Sequence, residues 1–169
     1  MPIPPYVQAM RAHIGHDLLM LSGVSAVIVG DDGEVLLGQR SDNRRWSLIA
    51  GTVEPGEQPA DAIVREAYEE AGIYIGIDRL AGVALHHSRY PNGDLCHFVN
   101  TWFRCHVIDG IARVNDDESI DMRWFPADAL PDVSDFVRMR IDIALREQEA
   151  AWFAPPGAEI DALADLTSG

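Results

Sequence analysis

The sequence predicts an α/β fold, a mixed β-sheet with helices packed on it. Three observations predict it: strand-length apolar runs bounded by turn residues, three segments of helical periodicity, and the alternation of the two along the chain. With 169 residues the chain is expected to be a single domain overall. It reads as an N-terminal helical extension (1–22), a core (23–133), and a C-terminal helix with an acidic tail (134–169). No internal repeat and no low-complexity tract interrupts it.

Pro5 to Ile14 is the first expected helix. Pro5 suits its first turn, Tyr6, Met10 and Ile14 recur every four residues, and Gly15 can end it. Val24–Val29 and Glu34–Gln39 are apolar runs around Gly30-Asp31-Asp32-Gly33, the pattern of a hairpin. Arg40–Arg45 is a polar, basic loop, and Trp46–Val53 reads as another buried strand. After the turn Glu54–Glu57 comes a helix from about Pro59 to Ala71, with Gly72 placed as its C-terminal glycine. Leu80–Tyr90 and Leu95–Val107 read as strands around Pro91-Asn92-Gly93-Asp94, where Asn-Gly is a strong hairpin signal. Ile111–Val114 and Met122–Phe125 are shorter strands around the acidic loop Asn115–Asp121. Ser134 caps an expected final long helix whose apolar face is Val137, Ile141, Ala144 and Leu145. The tail carries Glu159, Asp161 and Asp165, with Ile160, Leu163 and Leu166 available for docking.

Composition narrows the function. The formal net charge is −14, which repels nucleic-acid backbones and anionic membranes. A phosphate-handling protein of this charge needs metal ions or well-placed arginines. The uncharged stretch from Leu18 to Gly30 falls short of the ~20 apolar residues of a membrane span. No signal peptide is visible: Met1–Pro5 lacks a positive region and Asp17 interrupts the first apolar stretch. Cys96 and Cys105 lie in one expected strand, about 30 Å apart, beyond disulfide reach. A reduced, cytoplasmic protein is the expectation. No H-x3–5-H or Cys-His spacing supports zinc; His86 and His87 point to opposite faces of a strand.

Gly51–Ile73 carries the chemistry. With Glu66 set at 0° on the helix, Glu69 falls at about 300° and Glu70 at about 40°, so three carboxylates share an arc of about 100°. Ile63, Val64, Ala67, Tyr68 and Ala71 cover the side that would face a core. Like charges at this spacing cost about 0.2–0.5 kcal/mol per pair when exposed. In a desolvated cleft they cost a few kcal/mol. Divalent cations reverse that sign, and carboxylate-only coordination suits Mg²⁺ and Mn²⁺.

Gly51, Glu57, Arg65, Glu66, Glu69, Glu70 and Gly72, with Ala67 and Ile73 at apolar positions, fit G-x5-E-x7-R-E-U-x-E-E-x-G-U, where U is apolar. A chance match is on the order of one in 10⁸ per window. The segment resembles the Nudix box. Val35–Arg40, Trp46–Leu48 and Trp124–Phe125 before Leu130-Pro131 extend the likeness over roughly Gly23–Pro131. The resemblance implies the Nudix-type α/β/α sandwich with a loop-helix-loop box, and hydrolysis of a nucleoside diphosphate linked to a group X.

It also implies roles. Glu66, Glu69 and Glu70 would hold Mg²⁺, with Mn²⁺ able to substitute and the Gly51 carbonyl as an extra ligand. Arg65 would orient the carboxylates, and Glu57 would support that network. The general base of this family often comes from a later loop; Glu118 in Asp116-Asp117-Glu118 is the choice here. Arg40, Arg44 and Arg45 are placed to contact phosphates or a base, and Tyr90 and Trp46 to stack on one.

The chain also departs from the family. Ile49-Ala50-Gly51 stands where many members have Pro-Gly-Gly, and Ala50–Glu54 looks like the NADH pyrophosphatase branch. That branch's four-cysteine zinc segment and Ser-Gln-Pro-Trp-Pro-Phe-Pro motif are both missing. His86–Asp94 stands there instead; its Pro91 is similar to ADP-ribose pyrophosphatases and its Tyr90 to dinucleoside polyphosphate hydrolases, while a plain hairpin turn explains both. The expected activity is Mg²⁺-dependent cleavage of an ADP-ribose or nucleotide-sugar type substrate. A nucleoside triphosphate house-cleaning hydrolase and a non-catalytic nucleotide sensor are the alternatives. The partner is a small nucleotide, with no nucleic acid and no membrane. The N-terminal helix and the Trp152-Phe153 end of the last helix are candidate surfaces for a homodimer.

Overall fold

A computed structural model describes residues 4–90 and 92–158. Pro91 and the acidic tail from residue 159 lie outside the described residues. The elements run α1 (Pro5–Ile14), β1 (Leu19–Ile28), β2 (Val35–Arg40), β3 (Trp46–Ser47), β4 (Ile49–Thr52), α2 (Pro59–Ala71), β5 (Tyr74–Arg89), β6 (Leu95–Asp109), β7 (Ser119–Phe125), α3 (Asp135–Leu145) and β8 (Trp152–Phe153). A five-stranded mixed sheet has the order β4-β1-β6-β5-β8, and a three-stranded sheet the order β3-β2-β7.

The period-two alternation of β1 assigns the faces. Val24, Ala26 and Ile28 are buried against Ile63, Ala67 and Ala71 of α2. Val27, one step out of phase, joins Trp102 and the α3 residues Val137, Ile141 and Ala144 in a second core. Helices thus cover both faces, the α/β/α arrangement that the family resemblance implies. α1 adds a small third core through Val7, which packs on Leu21 and Cys96. Among the described residues no helix is long and apolar enough to cross a membrane.

The helices begin and end where local chemistry dictates. Pro59 opens α2, and Gly72 closes it at φ 65°, in the left-handed region, donating its N–H to the Tyr68 carbonyl. The Ser134 hydroxyl accepts from the Val137 N–H at 3.2 Å and caps α3.

Several sequence expectations change. The turn at Gly30–Gly33 forms, with Gly30 N–H on the Glu34 carbonyl at 2.8 Å. Its flanking strands, however, meet only at the Val29–Val35 bridge and enter different sheets. Trp46–Val53 is not one strand. Trp46 and Ser47 pair with β2, while Ile49–Thr52 pairs with β1. The apolar run is buried by two sheets at once, and its periodicity carries no mark of the switch at Leu48. β5 begins at Tyr74 rather than Leu80, because bulges near Asp78 and Ala81 break its alternation. Ile111–Val114 forms no strand; Arg113 N–H instead donates to the Ala71 carbonyl, tying the segment to the end of α2. Trp152 and Phe153 do not end a helix: α3 stops at Leu145, and the pair forms β8 along Gly82–Val83.

Candidate active site

Glu66 is the pivot of the box. Its side chain is 0% exposed, not part of a solvated acidic stripe. It turns under β4 and rests against the backbone of Gly51, where a Cβ would come within 1.9 Å of Oε1 and 2.0 Å of the carboxyl carbon. Glycine at that position is therefore a requirement of volume. Glu66 Oε1 accepts from Arg65 at 2.8 Å, while Oε2 is buried without a hydrogen-bond partner.

Arg65 binds three carboxylates. Its Nε and Nη2 grip Glu57 at 2.9 and 3.0 Å, and Nη1 reaches Glu66 at 2.8 Å and Glu69 at 3.1 Å. Nη2 also donates to the Thr52 carbonyl at 3.2 Å, fastening the helix to the end of β4. These charge-assisted bonds, Glu57 first, hold the guanidinium well above its ordinary pKa. Glu57 also accepts from the Glu54 N–H at 3.0 Å, closing the turn before the helix.

Glu70 reaches β4 at the neighbouring residue, where its Oε1 accepts from the Ala50 N–H at 3.1 Å. Burial pushes its carboxyl up to about 8 against the pull of that N–H, and the negative charges of Glu66 and Asp116 push the same way. Burial likewise raises Glu66 to about 7, with Arg65 opposing. Both carboxyls thus sit where an added positive charge would be most welcome. The three box glutamates share the helix arc but not one point: Glu66 lies under Gly51, Glu70 at Ala50, and Glu69 stays half-exposed on Arg65. Among the described residues no three acidic, His or Cys side chains are already gathered around a metal-sized point.

The fit to a hard divalent cation rests on the chain's own chemistry. The donors are all oxygens, one buried carboxylate oxygen lacks a partner, and glycine leaves the room that a side chain would fill. Neither histidine nor cysteine joins them. His86 and His87 do face opposite sides of β5: His86 stacks on Phe136 at 4.6 Å and His87 on His97 at 3.8 Å.

The structure gathers some of the other sequence-named residues. Arg40 closes the end of β2, with its guanidinium on Asp42, and its charge acts on both Tyr90 and Glu70. Arg44 adopts φ 60° in the basic loop, its N–H on the Arg40 carbonyl at 3.0 Å. Tyr90 ends the β5–β6 hairpin, 44% exposed, with its N–H on the Asp94 carbonyl. Trp46 packs edge-on against Phe125 at 4.8 Å. Tyr68, expected on the core side of α2, is 45% exposed and lies over Tyr74.

The acidic loop is fastened to the helix. Asn115 N–H donates to the Glu70 carbonyl at 3.1 Å and its side chain to the Tyr68 carbonyl at 2.9 Å. Within the loop, Asp116 Oδ1 accepts from the Glu118 and Ser119 N–H groups, and the Glu118 carbonyl accepts from Ser41. The negative charge of Asp116 in this loop bears on Glu70. Sequence reasoning singled out Glu118; the Asn115 anchor that ties this loop to the end of α2 has no mark in the spacing.

Known proteins resemble this chain in sequence and fold. The NUDIX domain family model matches residues 20–143. A MutT-like protein of Streptomyces ambofaciens is 34% identical over 105 residues, 62% of this chain and 63% of that protein. The human 8-oxo-dGDP phosphatase NUDT18 is 33% identical over 134 residues, 76% of this chain and 37% of its own length. The matched region thus spans less than two thirds of either relative. The crystal structure of a MutT NUDIX hydrolase from Burkholderia pseudomallei superposes with a TM-score of 0.65 at 30% identity, covering 73% of this chain and 97% of that one.

Proposed function

The chain belongs to the Nudix family, and on that premise we propose that it hydrolyses the pyrophosphate bond of a nucleoside diphosphate linked to a group X, of ADP-ribose or nucleotide-sugar type. The observation that carries this reading is the buried Glu66 carboxylate under Gly51, held by Arg65 with one oxygen unpaired. A pure binding module has no use for buried glutamates that repel one another.

Glu66, Glu69 and Glu70, with the Gly51 carbonyl, would hold Mg²⁺ or Mn²⁺. Bound there, the cation supplies neutralisation of phosphate charge and a more acidic attacking water. The protein's own groups do the rest. Arg65 and Glu57 keep the carboxylates from swinging apart between turnovers. Glu118 takes the proton of the attacking water. Arg40 and Arg44 contact the phosphates, and Tyr90 borders the substrate. A second reading, attack on a free nucleoside di- or triphosphate, draws support from the identity to the human 8-oxo-dGDP phosphatase. The reading includes a cytoplasmic setting and a homodimer with α1 and Phe153 among its surfaces, Phe153 being 69% exposed.

The test is a panel of ADP-ribose, sugar nucleotides, dinucleoside polyphosphates and deoxynucleoside triphosphates, each with Mg²⁺, followed by product identification. Release of a nucleoside monophosphate and an X-phosphate supports the first reading. Release of inorganic phosphate or pyrophosphate from free nucleotides supports the second. No turnover of any substrate overturns both.

A further inference from the structure

α1 lies outside the residues that the family model matches, yet one end of it touches the box loop and the other end the β5–β6 hairpin. Near its start the Tyr6 hydroxyl donates to the Val53 carbonyl at 3.1 Å. Val53 is also pinned through its N–H, which donates to the Ser22 carbonyl at 3.0 Å. The neighbours of Val53 hold the box together: the Thr52 carbonyl accepts from Arg65, and the Glu54 N–H donates to Glu57. A single residue therefore separates the Tyr6 contact from each anchor of the Glu57–Arg65 clamp. Burial and the negative charge of Glu54 raise the Tyr6 phenol above its ordinary pKa, so the hydroxyl stays protonated and donating at neutral pH.

The other end of α1 is tied by Arg11, whose side chain is 11% exposed. Its Nη2 donates to the Leu95 carbonyl at 2.7 Å and its Nε lies 3.6 Å from Asp94. Its Nη1 donates to the Gly15 and Asp17 carbonyls, fixing the exit of the helix. His16 adds a second contact to Asp94 at 2.7 Å, and its carbonyl accepts from the Leu95 N–H. Asp94 in turn closes the hairpin on Tyr90, whose N–H donates to the Asp94 carbonyl at 3.0 Å. Between the two ends Val7 packs on Leu21 and Cys96. A helix this short is marginal by itself in water, so these contacts are what order it. Once ordered it is one rigid body, and the box loop and the hairpin keep the spacing it sets.

We propose that α1 is a positioning brace of the active site: Tyr6 holds the box loop, and through it the metal-binding carboxylates, while Arg11 holds the hairpin that presents Tyr90 to the substrate. Misplacing a substrate by about 1 Å can cost on the order of a hundredfold in rate, and two supports set on separate loops drift independently unless something joins them. The inference deepens the proposed hydrolysis. It rests on that reading for kcat and KM, whereas metal affinity and amide exchange are read without turnover.

Tyr6→Phe keeps the ring and removes only the hydroxyl, and Arg11→Met keeps the stem and removes the guanidinium. Each is compared with the wild type for Mn²⁺ binding by electron paramagnetic resonance and for amide exchange of the metal-free protein. Steady-state kinetics use whichever substrate of the panel the wild type cleaves. One net hydrogen bond corresponds to about fivefold, so Tyr6→Phe should weaken Mn²⁺ binding and lower kcat about fivefold, with KM held within about twofold. Its Glu54 and Glu57 amides should exchange faster, while those of β2 and α3 keep the wild-type rate. Arg11→Met should raise KM about fivefold and leave Mn²⁺ affinity and kcat within about twofold. Arg11→Lys keeps the charge and part of the donor set, shows the same KM shift at smaller size, and serves if the Met variant does not fold. Unchanged Mn²⁺ affinity and unchanged loop exchange in Tyr6→Phe overturn the inference, as does a KM unmoved in both Arg11 variants. Equal changes in kcat, KM and exchange throughout the protein in both variants also overturn it, since α1 then only adds stability. If the wild type cleaves nothing in the panel, weaker Mn²⁺ binding with faster loop exchange in Tyr6→Phe leaves the brace standing while the hydrolysis reading fails.

Discussion

Gly51 and Glu66 occupy one another's space: the glutamate carboxylate fills the volume that any side chain at Gly51 would need. Gly51→Ala must therefore displace a fully buried side chain or bend β4. Overpacking of this kind costs about 1–3 kcal/mol. The expected result is a lower melting temperature together with a fall in kcat of about a hundredfold, because the displaced carboxylate is also a proposed metal ligand. A variant with wild-type melting and wild-type kcat would show that Glu66 has somewhere else to go.

Glu70→Gln separates charge from shape. Its Oε1 can still accept from Ala50, but one negative charge leaves the box. Turnover should drop by at least ~10²-fold, equivalent to about 2.7 kcal/mol of transition-state stabilisation. Without metal the variant should melt at the same temperature or higher, since repulsion from Glu66 and Asp116 is relieved. EDTA should abolish wild-type turnover and millimolar Mg²⁺ or Mn²⁺ restore it. More than a third of kcat retained at saturating Mg²⁺ would exclude Glu70 as a ligand.

The raised carboxyls give metal-free stability a direction in pH. Glu66 and Glu70 are lifted by burial from 4.5 to about 7 and about 8, so the fold prefers their protonated forms. Their contribution is full below the unfolded value and is lost as pH rises through 7 to 8. The loss is on the order of 2 kcal/mol after allowance for relaxation. His86 acts oppositely: burial lowers it to about 4, so its contribution is present above 6.5 and fades as pH falls toward 4. Melting of the metal-free protein should decline from pH 6 to pH 9, and Mg²⁺ should raise it most at the alkaline end. The double variant Glu66→Gln, Glu70→Gln should flatten that decline. An equally steep decline in the variant assigns it to other groups.

Most of this site was legible because the box packs its chemistry into one helix and the loop before it. The limits of α1 and α2, the Gly72 cap, the Ser134 cap and the Asn-Gly hairpin are local features, and local sequence specifies them. The burial of Glu66 was not legible, since a helical wheel assigns angles but does not say how far the helix rolls toward a glycine on another strand. The strand switch at Leu48 and the parallel addition of Trp152–Phe153 to β5 are pairings across long separations, which no window of sequence contains. Tyr68 was misplaced for a related reason: the first residues of β5 run past α2 and offer Tyr74 as a surface partner instead of a core.

The acidic loop supplies the last test. Glu118 is the proposed proton acceptor, Asp116 shapes the loop through two backbone N–H groups, and Asp117 is exposed. A base matters only as the water loses its proton, whereas a ligand matters before the reaction begins. Glu118→Gln should therefore lower kcat by ~10²–10⁴-fold with Mn²⁺ affinity nearly unchanged. Asp116→Asn keeps an oxygen for the two N–H groups but removes the charge that bears on Glu70. Its expected signature is a downward shift of the acidic limb of the pH–rate profile, with a smaller loss of kcat than in Glu118→Gln. Asp117→Asn should turn over normally. The three variants, compared for kcat, pH profile and Mn²⁺ binding by electron paramagnetic resonance, separate the roles. If Asp116→Asn shows the large kcat loss and Glu118→Gln does not, the loop's anchoring at Asn115 has delivered Asp116 as the base in place of Glu118. If all three turn over normally, the loop only braces the C-terminal end of α2 and the proton leaves by way of the box itself.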